Sequence, residues 1–185
     1  PLALFNQKIR QGLKLRLKRK SWPNFKTQPV WIHAASGEFE YAKALIRELK
    51  KDFPEIPIVV TYFSPTFAKA IEKFNGVDFS TPLPLDLPGP CRSFIKRLDP
   101  RILLISRTDI WPELLTQTRR QKIPSVIFSY TQKPMSGSLT KWFTRWRLSL
   151  VDKVYCVSPA DSDALATLGI QAQALGDTRF DQVQQ

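Results

Sequence analysis

Residues 30–51 read VWIHAASGEFEYAKALIRELKK, a strand pattern that passes without interruption into a helix pattern. Residues 30–34 are apolar apart from His33 and carry no Lys, Arg, Asp or Glu, the pattern of a strand buried on both faces of a parallel sheet. Ser36-Gly37 ends the run, and from Phe39 onward apolar residues recur at helical spacing. A strand that passes directly into a helix is half of a βαβ unit, and the alternation repeats down the chain. Further strands are predicted over 56–61, 102–106, 125–129 and 153–157, with shorter pieces near 77–81 and 172–175. Helices are predicted over 39–51, 66–74, 89–97, 113–122, 139–150 and 160–168. Pro54, Pro82, Pro84, Pro100 and Pro124 punctuate the connections, where a missing N–H is tolerated. Ser158-Pro159 followed by Asp161 has the chemistry of a helix start, and Gly169 that of a helix stop. The alternation predicts a Rossmann-like, doubly wound parallel sheet with helices on both faces, and function at the carboxyl ends of its strands.

Composition sets the outer limits. The 185 residues are 43% hydrophobic and 24% charged, enough for one α/β domain with its own core. Nothing approaches the roughly 18 uninterrupted apolar residues of a membrane span. Cys91 and Cys156 have no CxxC spacing and His33 is the only histidine, so a Cys/His zinc site lacks ligands and no metal is expected. Such thiols suit a reducing compartment, the cytoplasm. The net charge of +12 is concentrated: residues 1–30 hold eight cations and no acid, whereas the remainder holds 20 cations against 16 acids. Two parts follow, an arm over 1–28 and a domain over 29–185. Lys8, Arg10, Lys14, Arg16, Lys18, Arg19 and Lys20 stand in the arm beside Leu2, Phe5, Ile9 and Leu13, which recur at helical spacing. A basic amphipathic segment suits an anionic membrane surface, at about 1 kcal/mol per cation. A nucleic-acid arm is the rival, and the apolar stripe argues against it; a solvated helix stays open.

Four short motifs lie where the chemistry of such a sheet belongs. Ser36-Gly37-Glu38 puts a carboxylate in the first turn of a helix at the sheet's carboxyl edge. Spacing alone favours a structural role, with Ser36 as cap, Gly37 as turn and Glu38 opposing the helix dipole. The other role is a general base for a substrate hydroxyl. His33 is expected to be packed or hydrogen-bonded rather than catalytic. The second motif, Arg107-Thr108-Asp109-Ile110-Trp111-Pro112-Glu113, also follows a strand, with Asp109 placed to cap a helix. Pro82-Leu83-Pro84-Leu85-Asp86-Leu87-Pro88 is a stiff loop whose Asp86 is placed to cap the next helix, and Gly176-Asp177-Thr178-Arg179-Phe180-Asp181 closes the series. No Walker loop, GxGxxG or nucleophile elbow occurs.

In this order the four motifs resemble one family. HAASGE is similar to the H-x-x-S-x-GE segment of the 3-deoxy-D-manno-octulosonic acid (Kdo) transferases, one residue shorter before GE. PLPLDLP resembles their LP-x-DLP loop, TDIWPELL their TELWPNLL, and GDTRFD their G-N-x-K/R-F-D. The resemblance runs from Val30 to Asp181. It implies the N-terminal, acceptor-binding half of a GT-B glycosyltransferase, with a C-terminal donor-binding domain that this sequence does not contain. It further implies transfer of Kdo from CMP-Kdo to a lipid A precursor with inversion, at the cytoplasmic face of the inner membrane. The family's GE glutamate maps to Glu38 as general base. Ser36, Gly37, Arg107, Asp109 and Trp111 become acceptor-side residues, no cofactor beyond the donor substrate is needed, and no nucleic acid is a partner. Two departures stand at strand ends: Arg107 replaces a glutamate, and Ser129-Tyr130-Thr131-Gln132-Lys133 replaces the family's N-A-R-L-S segment. They keep open a catalytically inactive relative that binds lipid or a partner. A basic nucleotide-binding domain outside the family is weaker, because no phosphate-cradling glycine loop follows a strand.

Overall fold

The computed structural model describes residue 16 and residues 22–180. Seven strands form one parallel sheet: β1 (Val30–His33), β2 (Ile58–Tyr62), β3 (Phe79–Pro82), β4 (Ile102–Ser106), β5 (Ser125–Tyr130), β6 (Lys153–Cys156) and β7 (Gln173–Ala174). Their order in space is β3-β2-β1-β4-β5-β6-β7, with every neighbouring pair parallel. The Rossmann-like doubly wound fold expected from the alternation is therefore present.

The connecting helices are α1 (Phe39–Asp52), a 3₁₀ turn (Pro65–Phe67), α2 (Ala68–Glu72), α3 (Pro88–Leu98), α4 (Pro112–Arg120), α5 (Ser138–Leu148) and α6 (Pro159–Ala166). The two-residue period of the strands divides the core into two clusters, one per face. Trp31, Val59, Leu103 and Ile127 point to one face, where Cys91 and Ile95 of α3, Leu114 and Leu115 of α4, and Leu165 of α6 cover them. Val30, Ile32, Ile58 and Val60 point to the other, under Phe39, Ala42 and Ile46 of α1 and Ile71 of α2. Each fully buried large side chain contributes roughly 1.5–3 kcal/mol by leaving water, so the centre of the sheet is its most strongly held part. Both cysteines are buried and unpaired, and burial pushes the Cys91 thiol up to about 12 and that of Cys156 to about 11.

The helix signals act locally as their chemistry dictates. Ser158 and Asp161 close a reciprocal capping box on α6, and Gly169 takes a left-handed φ of 72° after it. Asp86 behaves otherwise than its position in sequence predicts. Its carboxylate oxygens accept from Glu113 N (3.3 Å) and Leu114 N (2.8 Å), so it caps α4, on a different element, rather than α3 which follows it.

The strand order reverses between β1 and β4. Both strands end there, and the crevice they open at the carboxyl edge is where an α/β sheet of this kind presents its functional residues.

Candidate active site

Glu38 stands at this switch point. It is the N-cap residue of α1, half-buried, and its carbonyl accepts from Ser106 Oγ (2.8 Å) at the end of β4. The first helical turn is thus pinned to the neighbouring strand. Its Oε2 accepts from both Ser36 N and Ser36 Oγ, each at 2.9 Å. The expected capping relation is inverted: Ser36 donates to the glutamate and orients it. Gly37 has no left-handed φ, and a Cβ there would meet Phe67 Cζ at an ordinary 3.8 Å, so the turn does not require glycine.

Behind the glutamate lies a buried polar chain. His33, the last residue of β1, is wholly buried, with Nδ1 3.0 Å from Thr61 Oγ1 and 3.1 Å from the Thr61 carbonyl. Its Nε2 lies 2.6 Å from Asp109 Oδ2, which also accepts from Trp111 Nε1 at 2.9 Å. Burial alone would push the Asp109 carboxyl up; the hydrogen bond and charge of His33 and the indole N–H outweigh it and hold the group below its ordinary value. An ionised carboxylate only accepts, so Nε2 carries the proton facing it. Trp31 Nε1 donates to Thr61 Oγ1 (2.9 Å), which extends the chain to Trp31–Thr61–His33–Asp109–Trp111. His33 is hydrogen-bonded, as expected. Asp109 is not the helix cap its position suggested, because its carboxylate is spent on His33 and Trp111 while Asp86 caps α4.

Arg107 follows β4 with a left-handed φ of 64°, and Ser129 in β5 takes φ 52°. At Ser129 the register of β5 against β6 shifts, and its Oγ lies 2.9 Å from Thr178 Oγ1. The Arg107 guanidinium donates to Tyr41 Oη and, at 2.9 Å, to Thr131 Oγ1, and it lies 4.5 Å from the Tyr41 ring centre. Arg179 approaches the same ring at 4.4 Å. Thr178 ties this segment down: its Oγ1 donates to the Tyr41 carbonyl (2.7 Å), and its N–H donates to Ser129 Oγ (3.2 Å). The first, second and fourth motifs therefore meet around α1. Thr131 belongs to the departing 129–133 segment and Thr178 to the last motif; Tyr41 carries no such mark in the sequence, although it stands one turn after Glu38.

On the other rim, Trp111 stacks on Phe63 with centroids 5.1 Å apart, and Arg16 lies over Phe63 at 4.3 Å. The Arg16 guanidinium donates to the carbonyls of Leu83 (3.0 Å) and Phe63 (3.1 Å), so this arm residue rests on the rim of the crevice. Lys8, Arg10, Lys14, Lys18, Arg19 and Lys20 lie outside the described residues, as does Asp181 of the last motif. Among the described residues no helix is long and apolar enough to cross a membrane.

The family described as 3-deoxy-D-manno-octulosonic-acid transferase (kdotransferase) matches residues 9–182. The protein named 3-deoxy-D-manno-octulosonic acid transferase in Haemophilus influenzae is 38% identical over 102 residues, covering 54% of this chain and 24% of its own length. Its namesake in Bordetella pertussis is 29% identical over 164 residues, 83% of this chain and 38% of its own. That of Aquifex aeolicus is 34% identical over 66% of this chain and 33% of its own. The chain thus spans between about a quarter and two fifths of these curated relatives. Among solved structures, a UDP-N-acetylglucosamine 2-epimerase superposes with a TM-score of 0.64 at 16% identity, over 84% of this chain and 50% of the other. The UDP-GlcNAc 2-epimerase of Neisseria meningitidis gives 0.60 at 13%, over 84% and 48%. At such identities the likeness concerns the fold.

Proposed function

The chain belongs to the kdotransferase family, and from that premise we propose that it is the acceptor-side half of a glycosyltransferase of lipopolysaccharide synthesis. Kdo passes from CMP-Kdo to a hydroxyl of a lipid A precursor, with Glu38 as general base. The carrying observation is the placement of that carboxylate: half-buried, at the switch point, and held through Oε2 by two Ser36 donors. Oε1 then takes the acceptor proton as the hydroxyl oxygen forms its bond to the anomeric carbon of Kdo. The bond from that carbon to the phosphate oxygen breaks, CMP leaves with the electron pair, and configuration inverts. A sugar hydroxyl is a poor nucleophile, and a positioned base is worth about 10²–10⁴ in rate.

The residues around Glu38 divide the remaining work. Arg107 and Arg179, gathered on Tyr41, present cations to the anionic groups of the acceptor, and Trp111 offers a flat apolar rim. Asp109 is a positioning residue that holds Trp111 and His33. The donor binds chiefly to a C-terminal domain carried by the full-length protein. The basic arm over 1–28 holds the enzyme to the anionic cytoplasmic face of the inner membrane, with Arg16 joining arm to crevice. No nucleic acid, metal or further cofactor is required.

The test is Kdo transfer by the full-length protein that carries these residues. Glu38→Gln keeps an oxygen for Ser36 to donate to, so it should melt like the wild type yet lose about 10²–10⁴ in rate. A variant with full activity removes Glu38 from the mechanism. A wild-type protein that binds precursor but transfers nothing selects the inactive relative instead.

A further inference from the structure

Helix α5 turns its apolar side away from the protein. Of its eleven residues only Thr144 and Leu148 are buried. Leu139, Trp142, Phe143 and Trp146 are 76%, 62%, 45% and 40% exposed. These four stand at i, i+3, i+4 and i+7, the spacing that aligns side chains in a single stripe, and on most helices that stripe faces the core. The stripe is organised: the Trp142 and Trp146 indoles stack with centroids 6.3 Å apart at 6°, and Phe143 packs on Trp146 at 5.5 Å. An array of three aromatics and a leucine left in water signals a missing partner.

Charge identifies that partner. Arg145 and Arg147 stand on either side of the stripe, Lys141 is exposed on the same helix, and the Arg147 guanidinium lies 5.0 Å over the Phe143 ring. Between Glu113 and Asp152 the sequence has seven cations and no acidic residue. Indoles settle at the headgroup level of bilayers, and cations beside an apolar stripe are attracted to anionic lipid. Shape agrees, because residues exposed to this degree project as a ridge. A ridge sinks readily into a deformable medium such as a lipid leaflet.

We propose that α5 is a membrane-contact helix, lying in the headgroup layer of an anionic bilayer with Leu139, Trp142, Phe143 and Trp146 inserted. It is a folded site distinct from the basic arm, and it stands independently of the transferase chemistry. Its first residue, Ser138, is seven positions after Thr131, to which Arg107 donates, so bilayer contact would hold the crevice close to lipid.

The experiment uses the chain itself with no donor or acceptor present. The native thiols are buried and their pKa values raised, so Leu139→Cys can be labelled selectively with nitrobenzoxadiazole. With phosphatidylglycerol-containing vesicles the label should brighten and shift to the blue; with pure phosphatidylcholine vesicles it should stay unchanged. Trp142→Gln/Trp146→Gln, arm intact, should lower vesicle partitioning by about tenfold or more while circular dichroism is unaltered. A label silent toward anionic vesicles overturns the proposal, even where the arm still carries the protein to them. So does an equal response to a single-stranded oligonucleotide, or lipid-free self-association that the double substitution abolishes.

Discussion

Replacing Asp109 by asparagine removes the charge from the buried chain and leaves its shape almost unchanged. In the wild type Oδ2 receives two donors, His33 Nε2 at 2.6 Å and Trp111 Nε1 at 2.9 Å, and the side chain is 26% exposed. An amide oxygen in the place of Oδ2 has two lone pairs and can still accept both, but as neutral hydrogen bonds, each worth about 1 kcal/mol less than one to a charged group, so about 2 kcal/mol is lost in all. With a urea slope of about 1–3 kcal/mol per molar, the unfolding midpoint should fall by on the order of 1 M at pH 7. Acid supplies the second half of the test. The folded carboxyl lies below its unfolded value, about 3.9, so its stabilisation is complete above that pH and disappears as pH falls through the folded value. The gap between wild type and Asp109→Asn should therefore close below about pH 4, while carboxylates common to both chains cancel. A midpoint unchanged at pH 7, or a gap equally wide at pH 3, would refute the description of Asp109 as an ionised acceptor of the His33 and Trp111 N–H groups.

Two further substitutions probe the frame around the crevice. Asp86→Ala strips the cap from α4 and should cost about 0.5–2 kcal/mol in thermal melting, with Asp86→Asn milder; an alanine variant that melts with the wild type would show the contact to be idle. At position 107, glycine should be more stable than alanine by about 1 kcal/mol in urea, since both lose the guanidinium and only alanine pays for the left-handed φ of 64°. Equal midpoints would mean that the backbone there is unstrained.

The strands were legible because burial on both faces writes itself as runs of Val, Ile and Leu. The 102–106 run is β4 to the residue, and the 30–34 run is β1 with one residue to spare. The start of α6 was legible because its Ser158–Asp161 capping box is local, and α1 begins where expected, at Phe39, although Ser36 donates to Glu38 instead of capping the helix. What could not be read is chemistry that depends on which ends come together. Asp86 and Asp109 are each placed like a helix cap in sequence, and only the reversal of strand order gives the first to α4 and the second to His33. The outward face of α5 was equally hidden: its apolar spacing fits a core-facing helix as well as the one observed.

The two edges of the sheet carry a consequence for the protein in solution. One edge strand, β3, ends in Pro82, which has no N–H to offer, and the other, β7, is the dipeptide Gln173–Ala174. Neither presents the long ladder of unpaired backbone groups that templates amyloid-like stacking. Concentrated preparations should thus resist edge-to-edge aggregation, and any homotypic assembly would be joined by side chains rather than by an extended β-sheet.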